Sequence, residues 1–544
     1  MDTPVAAYDS RAADCLSRPD DAAVIDLVTP SMPRPRPPSV SPRGEPGTVA
    51  TGTAALRQPR DPTLSRLAWT TTLLRRPAAV TVAAEVVLNA IFPAAFVIYI
   101  LRCSANIPIL DTWGFIPTIA TFIEHGHVSF ASLWSPDGSV HPIIWRLVML
   151  EVAQHFHFDV QLIKLLAAPC ALVELSVCYW ALVRLMRPHR VSASLLVLVP
   201  ITALRFGLNN WETILEEWNV QNLAAVAASM LALLAISAIF RTSSGHKRGA
   251  LLSIGIVLCV IASFLGEPGL LAWPACIIVS LFPWETGYAA ERCCLVLATL
   301  AFFFVCLPGT ATASLGYDLH HVGSMVLFAI AALGNGILGQ INNTPAPGLA
   351  TAFGVIELLL SVAAAAAISR RATSAAAKNR YRVPFGLVGF GLMAAMTMSL
   401  DRLPFGLDTA TSSRYVVSTD TAAIGLYLVF VGFAVSALHG RARAARSQVV
   451  RLPLSLLAPI TAVIILFGSG FGDAQQYQLG NARLSYFVSL QYYACHAASA
   501  TPAQLRAFQY PLQGPPPLRV AIADLAQAHL SVFSDNACST LSSP

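Results

Sequence analysis

The sequence predicts an all-α polytopic membrane protein, and three observations carry the prediction. Hydrophobic residues make up 55% of the 544 and charged residues only 12%, whereas soluble domains are about a quarter charged. Mean hydropathy is +0.61. Apolar runs long enough to cross roughly 30 Å of hydrocarbon recur from about residue 78 to 470, separated by short polar loops. The net charge of +6 matters less than its placement. Lys and Arg gather in short loops and in the N-terminal tail, which points to membrane topology and not to nucleic-acid binding.

Residues 1–72 are rich in Pro, Ser, Arg and Ala and show no apolar periodicity, the composition of a disordered tail. The transmembrane domain is expected over 73–470. In the stretch Leu73 to Cys103, Arg75 and Arg76 precede the first apolar run and place the N-terminus in the cytoplasm. Further spans are expected at about 160–185, 191–206, 221–240, 249–265, 269–283, 293–309, 349–369, 383–400, 418–438 and 452–470. Alternation then puts the basic loops 184–190, 241–248, 370–382 and 439–451 on one side, the cytoplasmic one. A crossing by 325–340 would move the two most basic loops outside. That stretch is therefore expected to be re-entrant or interfacial, loosened by Gly334 and Gly336. The count becomes about eleven transmembrane helices, with outward loops 104–159 and 207–220 and an extracytoplasmic C-terminal region, 471–544.

Most cysteines lie in or beside apolar runs and read as small hydrophobes. Cys495 and Cys538 lie in the outward region, where they either pair or remain two thiols. No CxxC or His/Cys cluster suggests a structural metal.

The outward loops carry the polar chemistry. The stretch ILDTWGFIPTIATFIEHGHVSFASLWSPDGSVHPIIWR collects Asp111, Trp113, Glu124, His125, His127, Asp137, His141 and Arg146. Asp111, close after the first span, suits a general base toward a hydroxyl or a holder of a divalent cation. It equally suits the N-cap of a helix whose Phe115, Ile116, Ile119, Phe122 and Ile123 form one apolar stripe. That helix is expected to lie in the membrane interface, with Trp113 and Trp134 in the headgroup layer. Arg146 beside His141, and Arg414 in SSRY, suit the grip of a lipid phosphate; as alternatives they snorkel or pair with Asp401 or Asp408. Glu212 and Glu216, four apart in NNWETILEEWN, share one face of a helix, and Trp211 and Trp218 flank them. Within the spans Glu85, Glu174 and Glu357 are costly to bury unless they face a cavity or a partner.

An Asp after the first span, an interfacial helix, a His and an Arg leading into the next span, an acidic second loop and a late SRY together resemble the GT-C superfamily of integral-membrane glycosyltransferases. More narrowly, the layout resembles related bacterial polytopic proteins in which an Asp-Trp pair precedes a His-Arg pair. Those relatives end in an outward tail closing on Leu-x-Val-Phe, matched here by LSVF (530–533). In this chain Thr112 follows Asp111, and Pro142 follows His141.

The resemblance implies a protein of the bacterial inner membrane that moves a sugar from a polyprenyl-phosphate donor to a glycan, lipid or protein acceptor on the outer side. Asp111, Glu212 and Glu216 would then be catalytic, and His141, Arg146, Arg414 and Trp113 would bind substrate, with a divalent cation as a candidate cofactor. Two other classes stay open: a lipid-linked sugar flippase or transporter, motivated by the buried acids, and a non-catalytic membrane assembly protein.

Overall fold

The computed structural model describes residues 76–137, 140–186, 191–282, 287–306, 321–339, 346–371, 375–440, 448–506, 508, 515–534 and 538. The expected tail 1–72 and parts of the basic loops 184–190, 370–382 and 439–451 lie outside them. Among the described residues the fold is helical throughout, with one isolated bridge, Asp137 to Val140.

Nine helical segments among them are long and apolar enough to cross a membrane. They include α1 (Arg76–Cys103), α6 (Ala167–Met186) with the short α5 (Val160–Leu165) leading into it, α9 (Val220–Ile239) and α10 (Gly245–Leu265). The others are α12 (Ala289–Cys306), α14 (Pro347–Arg371), α16 (Arg382–Arg402), α17 (Val416–Gly440) and α18 (Gln448–Cys495). The expected spans at 191–206 and 269–283 correspond to α7 (Val191–Arg205), 15 residues with Pro200 inside, and α11 (Ala272–Leu281), 10 residues. Both fall short of the roughly 20 residues that span a bilayer. Both are packed in the bundle core, where Leu198, Ile201, Trp273 and Cys276 are buried.

Burial sorts the long helices. The most apolar windows of α9 and α17 are 72% and 78% buried, those of α1, α10, α12 and α14 between 22% and 28%. A helix apolar all round is stable only where protein or lipid surrounds it. Here α9 and α17 take the centre, and α1, α10, α12 and α14 turn most of their surface outward.

Buried charge ties the centre together. Arg205 at the end of α7 reaches Glu174 of α6 at 2.7 Å and Asp420 of α17 at 3.1 Å, all three with fully buried side chains, and donates to the Val417 carbonyl at 3.0 Å. An intramembrane acid normally has such a partner. Glu174 is therefore occupied by a guanidinium. Glu85 is buried on α1, and Glu357 lies within electrostatic range of Asp420.

Helix α13 (Val322–Leu338) fills the place of the expected re-entrant segment. It is unbroken, which corrects the expectation that its glycines loosen it. The helix needs them for close approach: a Cβ at Gly334 would sit 1.9 Å from the Ala350 carbonyl of α14, and one at Gly354 1.8 Å from the Ile330 carbonyl. Such small-residue seams are how helices pack in lipid. The end of α13 lies beside the 403–415 loop, where Asn335 donates to the Ser412 carbonyl at 3.4 Å. Phe302, near the end of α12, stacks on Trp273. Thus α12 ends and α14 begins at the same, loop-bearing end of the bundle.

That end holds a second hydrophobic core, made by the chain after α1, the 206–223 region, the far part of α18 and the residues beyond it. Through the expected boundary at 470, α18 runs on without interruption to Cys495, 48 residues in all. No proline falls between Pro459 and Pro502, and Phe487, Leu490 and Ala494 fall at helical spacing on its buried face. Cys495 and Cys538 form a disulfide. Between them α19 (Pro502–Arg506) and α20 (Pro515–Gln527) fold back over the first loop.

Candidate functional site

At the loop-bearing end the first loop contains the 3₁₀ turn Leu110–Gly114, α2 (Ile116–His125), α3 (Phe130–Trp134) and α4 (Ile143–Phe156). The second holds α8 (Trp211–Leu215) and the extended Glu216 after it. A fully buried pair joins them. The Glu217 carboxylate lies 3.8 Å from the Lys164 ammonium and accepts the Ile109 backbone N–H at 2.8 Å, while Lys164 donates to the Ala105 carbonyl at 3.2 Å. Asp111 is thereby set two residues from a clamped backbone amide.

Asp111 does not cap a helix: it lies inside the 3₁₀ turn, and the N-cap of α2 is Phe115, with no side-chain cap. Its side chain is exposed. Desolvation by the surrounding protein raises its pKa first and Asp137 adds to that, while Arg414 and Arg402 oppose both. Glu216 is buried beside Glu212, Glu217 and Asp111, and burial holds its carboxyl well above the ordinary 4.5, with Glu212 the next largest cause and Arg414 opposing. Glu216 accepts from the Asn219 amide. Glu212 and Glu216 are electrostatic neighbours but do not share a helix face, since α8 ends at Leu215 and Glu216 is extended (φ −104, ψ 107).

The Glu212 carboxylate is spent on the 412–414 segment, accepting from the Ser412 hydroxyl at 2.5 Å and the Arg414 backbone N–H at 3.0 Å. In return, the Glu212 N–H donates to the Ser413 hydroxyl at 3.1 Å. This lacing holds Arg414 against the site, within electrostatic reach of Glu212, Glu216 and Asp111. Arg414 also helps line a small second hollow with Arg402, Asp401, Glu267 and Tyr415.

Beside Glu216 a cavity of about 270 Å³ is lined by Leu110, Trp211, Arg483 and Tyr486 among others. The Arg483 guanidinium lies 3.9 Å from the Trp211 ring centroid and bonds Tyr99 and Gln476. The cavity thus joins a carboxyl, a guanidinium and aromatic faces, next to an exposed carboxylate.

Three expected contributors stand elsewhere. Arg146 is buried and donates to the Leu133 and Ser135 carbonyls at 2.8 and 2.5 Å, closing the end of α3 with donors that a phosphate grip would need. Burial lowers its pKa and Asp137 opposes that. His141 engages the Trp134 carbonyl through Nδ1 and stacks on the Trp134 ring. Trp113 is 1% exposed, packed edge-on against Phe508 and not in the headgroup layer. The apolar stripe of α2 also faces protein and not lipid, with Phe115, Ile116 and Ile119 buried in the same core as Leu518, Ile522 and Leu525 of α20.

Asp137, Arg402 and Arg483 are the polar residues that sequence reasoning left unused. Asp137 accepts the Trp218 indole N–H at 2.9 Å; its proximity to Asp111 is a contact between separate elements, with no signature in spacing. Arg483 was legible in principle, since the proline-free helical pattern continues past 470. Among the described residues no three of His, Cys, Asp and Glu gather closely enough to hold a metal ion. No protein-family model, curated protein or solved structure matches the chain.

Proposed function

We propose that the protein is a membrane glycosyltransferase that uses a polyprenyl-phosphate sugar on the outer side of the membrane. The observation that carries the reading is the convergence of Asp111, Glu216 and Arg414, from three separate loops, beside an aromatic-lined cavity. Exposed Asp111 is the base: as the acceptor oxygen bonds to the anomeric carbon, its proton passes to the carboxylate. The bond from that carbon to the phosphate oxygen breaks, and polyprenyl phosphate leaves with the electron pair. Arg414 and Arg402 offset the charge that develops on the leaving phosphate. Glu216, whose carboxyl burial pushes toward the protonated form, offers a hydrogen-bonding group to the sugar. Arg483 and Trp211 offer a cationic and aromatic wall to the same substrate.

Placement outside the cytoplasm is supported by the Cys495–Cys538 disulfide, which suits an oxidising compartment. It is supported too by Arg184, Arg241 and Arg380 at the opposite end of the helices, as the positive-inside rule expects. The membrane-inserted Asp111→Asn protein should lose sugar transfer from a polyprenyl-phosphate donor while keeping the wild-type unfolding profile. Retained transfer would remove Asp111 from the reaction.

A further inference from the structure

At the end of the bundle away from the acidic cleft, the last turns of α6 and α9, the end of the short α15 (Ala375–Asn379) and the start of α16 line a cavity of about 620 Å³. Arg184, Arg241 and Arg380 line it with Trp180, Phe240 and Asn379, and no carboxylate is among the described lining residues. The Arg184 and Arg241 guanidiniums lie over one and the same ring, 4.8 and 4.4 Å from the Trp180 centroid. Neither side chain makes a hydrogen bond or ion pair among the described residues. Burial pushes Arg241 down to about 10, and the neighbouring charge of Arg184 adds to the shift.

Arginines that serve topology alone need only lie near the cytoplasmic surface. Nothing in that role draws two of them onto one indole, where like charges repel, or opens a hollow of ligand size between them. The far wall is built independently of the pair. Arg382 lies 3.6 Å from the Phe240 ring centroid, donates to the Val279 and Phe282 carbonyls at 2.6 and 2.9 Å and to the Asn379 amide oxygen at 2.6 Å. Asn379 in turn donates to the Phe240 carbonyl at 3.3 Å. The hollow is thus preformed, and what it lacks is negative charge.

We propose that this cavity binds a phosphate-bearing anion, with Arg184 and Arg241 as a two-guanidinium clamp and Arg380 as a third contact. Guanidinium forks match phosphate oxygens bidentately, and one anion between the two would relieve their repulsion. The phosphate can belong to an anionic lipid headgroup or to a soluble phosphate ester; the chemistry recognised is the same. The inference stands apart from the sugar-transfer reading, since no residue of the acidic cleft takes part.

The test uses the full chain. Native mass spectrometry after reconstitution counts retained phosphatidylglycerol against phosphatidylcholine, and unfolding in detergent compares phosphate with chloride at equal ionic strength. Selective phosphatidylglycerol retention identifies the lipid source, and stabilisation by inorganic phosphate identifies the soluble one. In either case R184Q/R241Q should weaken the anion at least about tenfold, because two charge-assisted contacts are lost. R184K/R241K, which keeps charge but not the fork, should fall between. Both arginines are exposed, and the wild-type comparisons require no variant to fold. Equal retention of the two lipids together with equal stability in the two salts would overturn the proposal, as would a glutamine variant that binds like wild type.

Discussion

Replacing Glu217 by Gln tests whether the buried pair with Lys164 holds the two loops in register. The amide keeps the shape and retains an acceptor for the Ile109 N–H, 2.8 Å from the carboxylate oxygen. The Lys164 ammonium, fully buried 3.8 Å from the carboxylate, then keeps only the Ala105 carbonyl. Removing one partner of a buried ion pair costs about 3–5 kcal/mol, because the other charge stays desolvated and uncompensated. Lys164→Met should destabilise as well, and since burial raises the Glu217 pKa and disfavours the charged form of Lys164, neutralisation of the orphaned partner limits either loss toward the low end of that range. The double variant should recover part of the loss, with a coupling of about 1–3 kcal/mol. Equilibrium unfolding of the four proteins in mixed micelles supplies the cycle. A Glu217→Gln protein as stable as wild type, or strictly additive single losses, would refute the reasoning.

Glu216 fixes a pH dependence. Its folded pKa lies well above 4.5, so the folded protein holds a proton that the unfolded chain releases, and this contribution is full below about 4.5 and lost as pH rises toward the folded value. Unfolding measured across that window should show a shallower fall in stability for Glu216→Gln, with Asp111 and Glu217 supplying a residual slope of the same sign. Gly354→Val should destabilise by about 1–3 kcal/mol or more, because the atom met by the new Cβ is the Ile330 backbone carbonyl; thermal unfolding reads it. Reduction of Cys495–Cys538, a bridge across 43 residues, should cost about 4 kcal/mol by the loop-entropy relation, and limited proteolysis should then cut between them. Arg146→Met should lower stability without raising the KM for a lipid phosphate, since its guanidinium closes α3; a KM effect alone would reverse that assignment.

The membrane class was legible because composition and run length directly report transfer to lipid. The prediction that Asp111, Glu212, Glu216 and Arg414 share one end was legible because loop alternation follows from counting spans. Their division of labour was not. Glu212 and Glu216 look alike in ETILEE, yet one is laced to Ser412 and Arg414 and the other lines a cavity; the difference is made by a loop 200 residues away. Arg146 offered the right group for phosphate, but nothing local announces that it faces the carbonyls closing α3. Glu174 read as a costly lone acid because Arg205 and Asp420 are remote in sequence, and only the packing of α6, α7 and α17 joins them. Trp113 gave the signal of an interfacial anchor, and its burial depends on a tail that lies almost 400 residues further on.

That tail also imposes an order of events on biogenesis. The LSVF turn docks where the first loop leaves α1 and enters α5: the Ser531 N–H reaches the His157 carbonyl at 2.7 Å and its hydroxyl the Asn106 carbonyl at 3.0 Å, 425 residues earlier. At synthesis rates of about 5–20 residues per second, roughly 20–85 s separate the two partners' appearance. Throughout that interval Ile116 and Ile119 have no α20 to cover them. A nascent chain halted before Leu530 would therefore present a sticky, unfinished first loop to quality-control machinery, and the acidic cleft would mature only once the LSVF turn had docked.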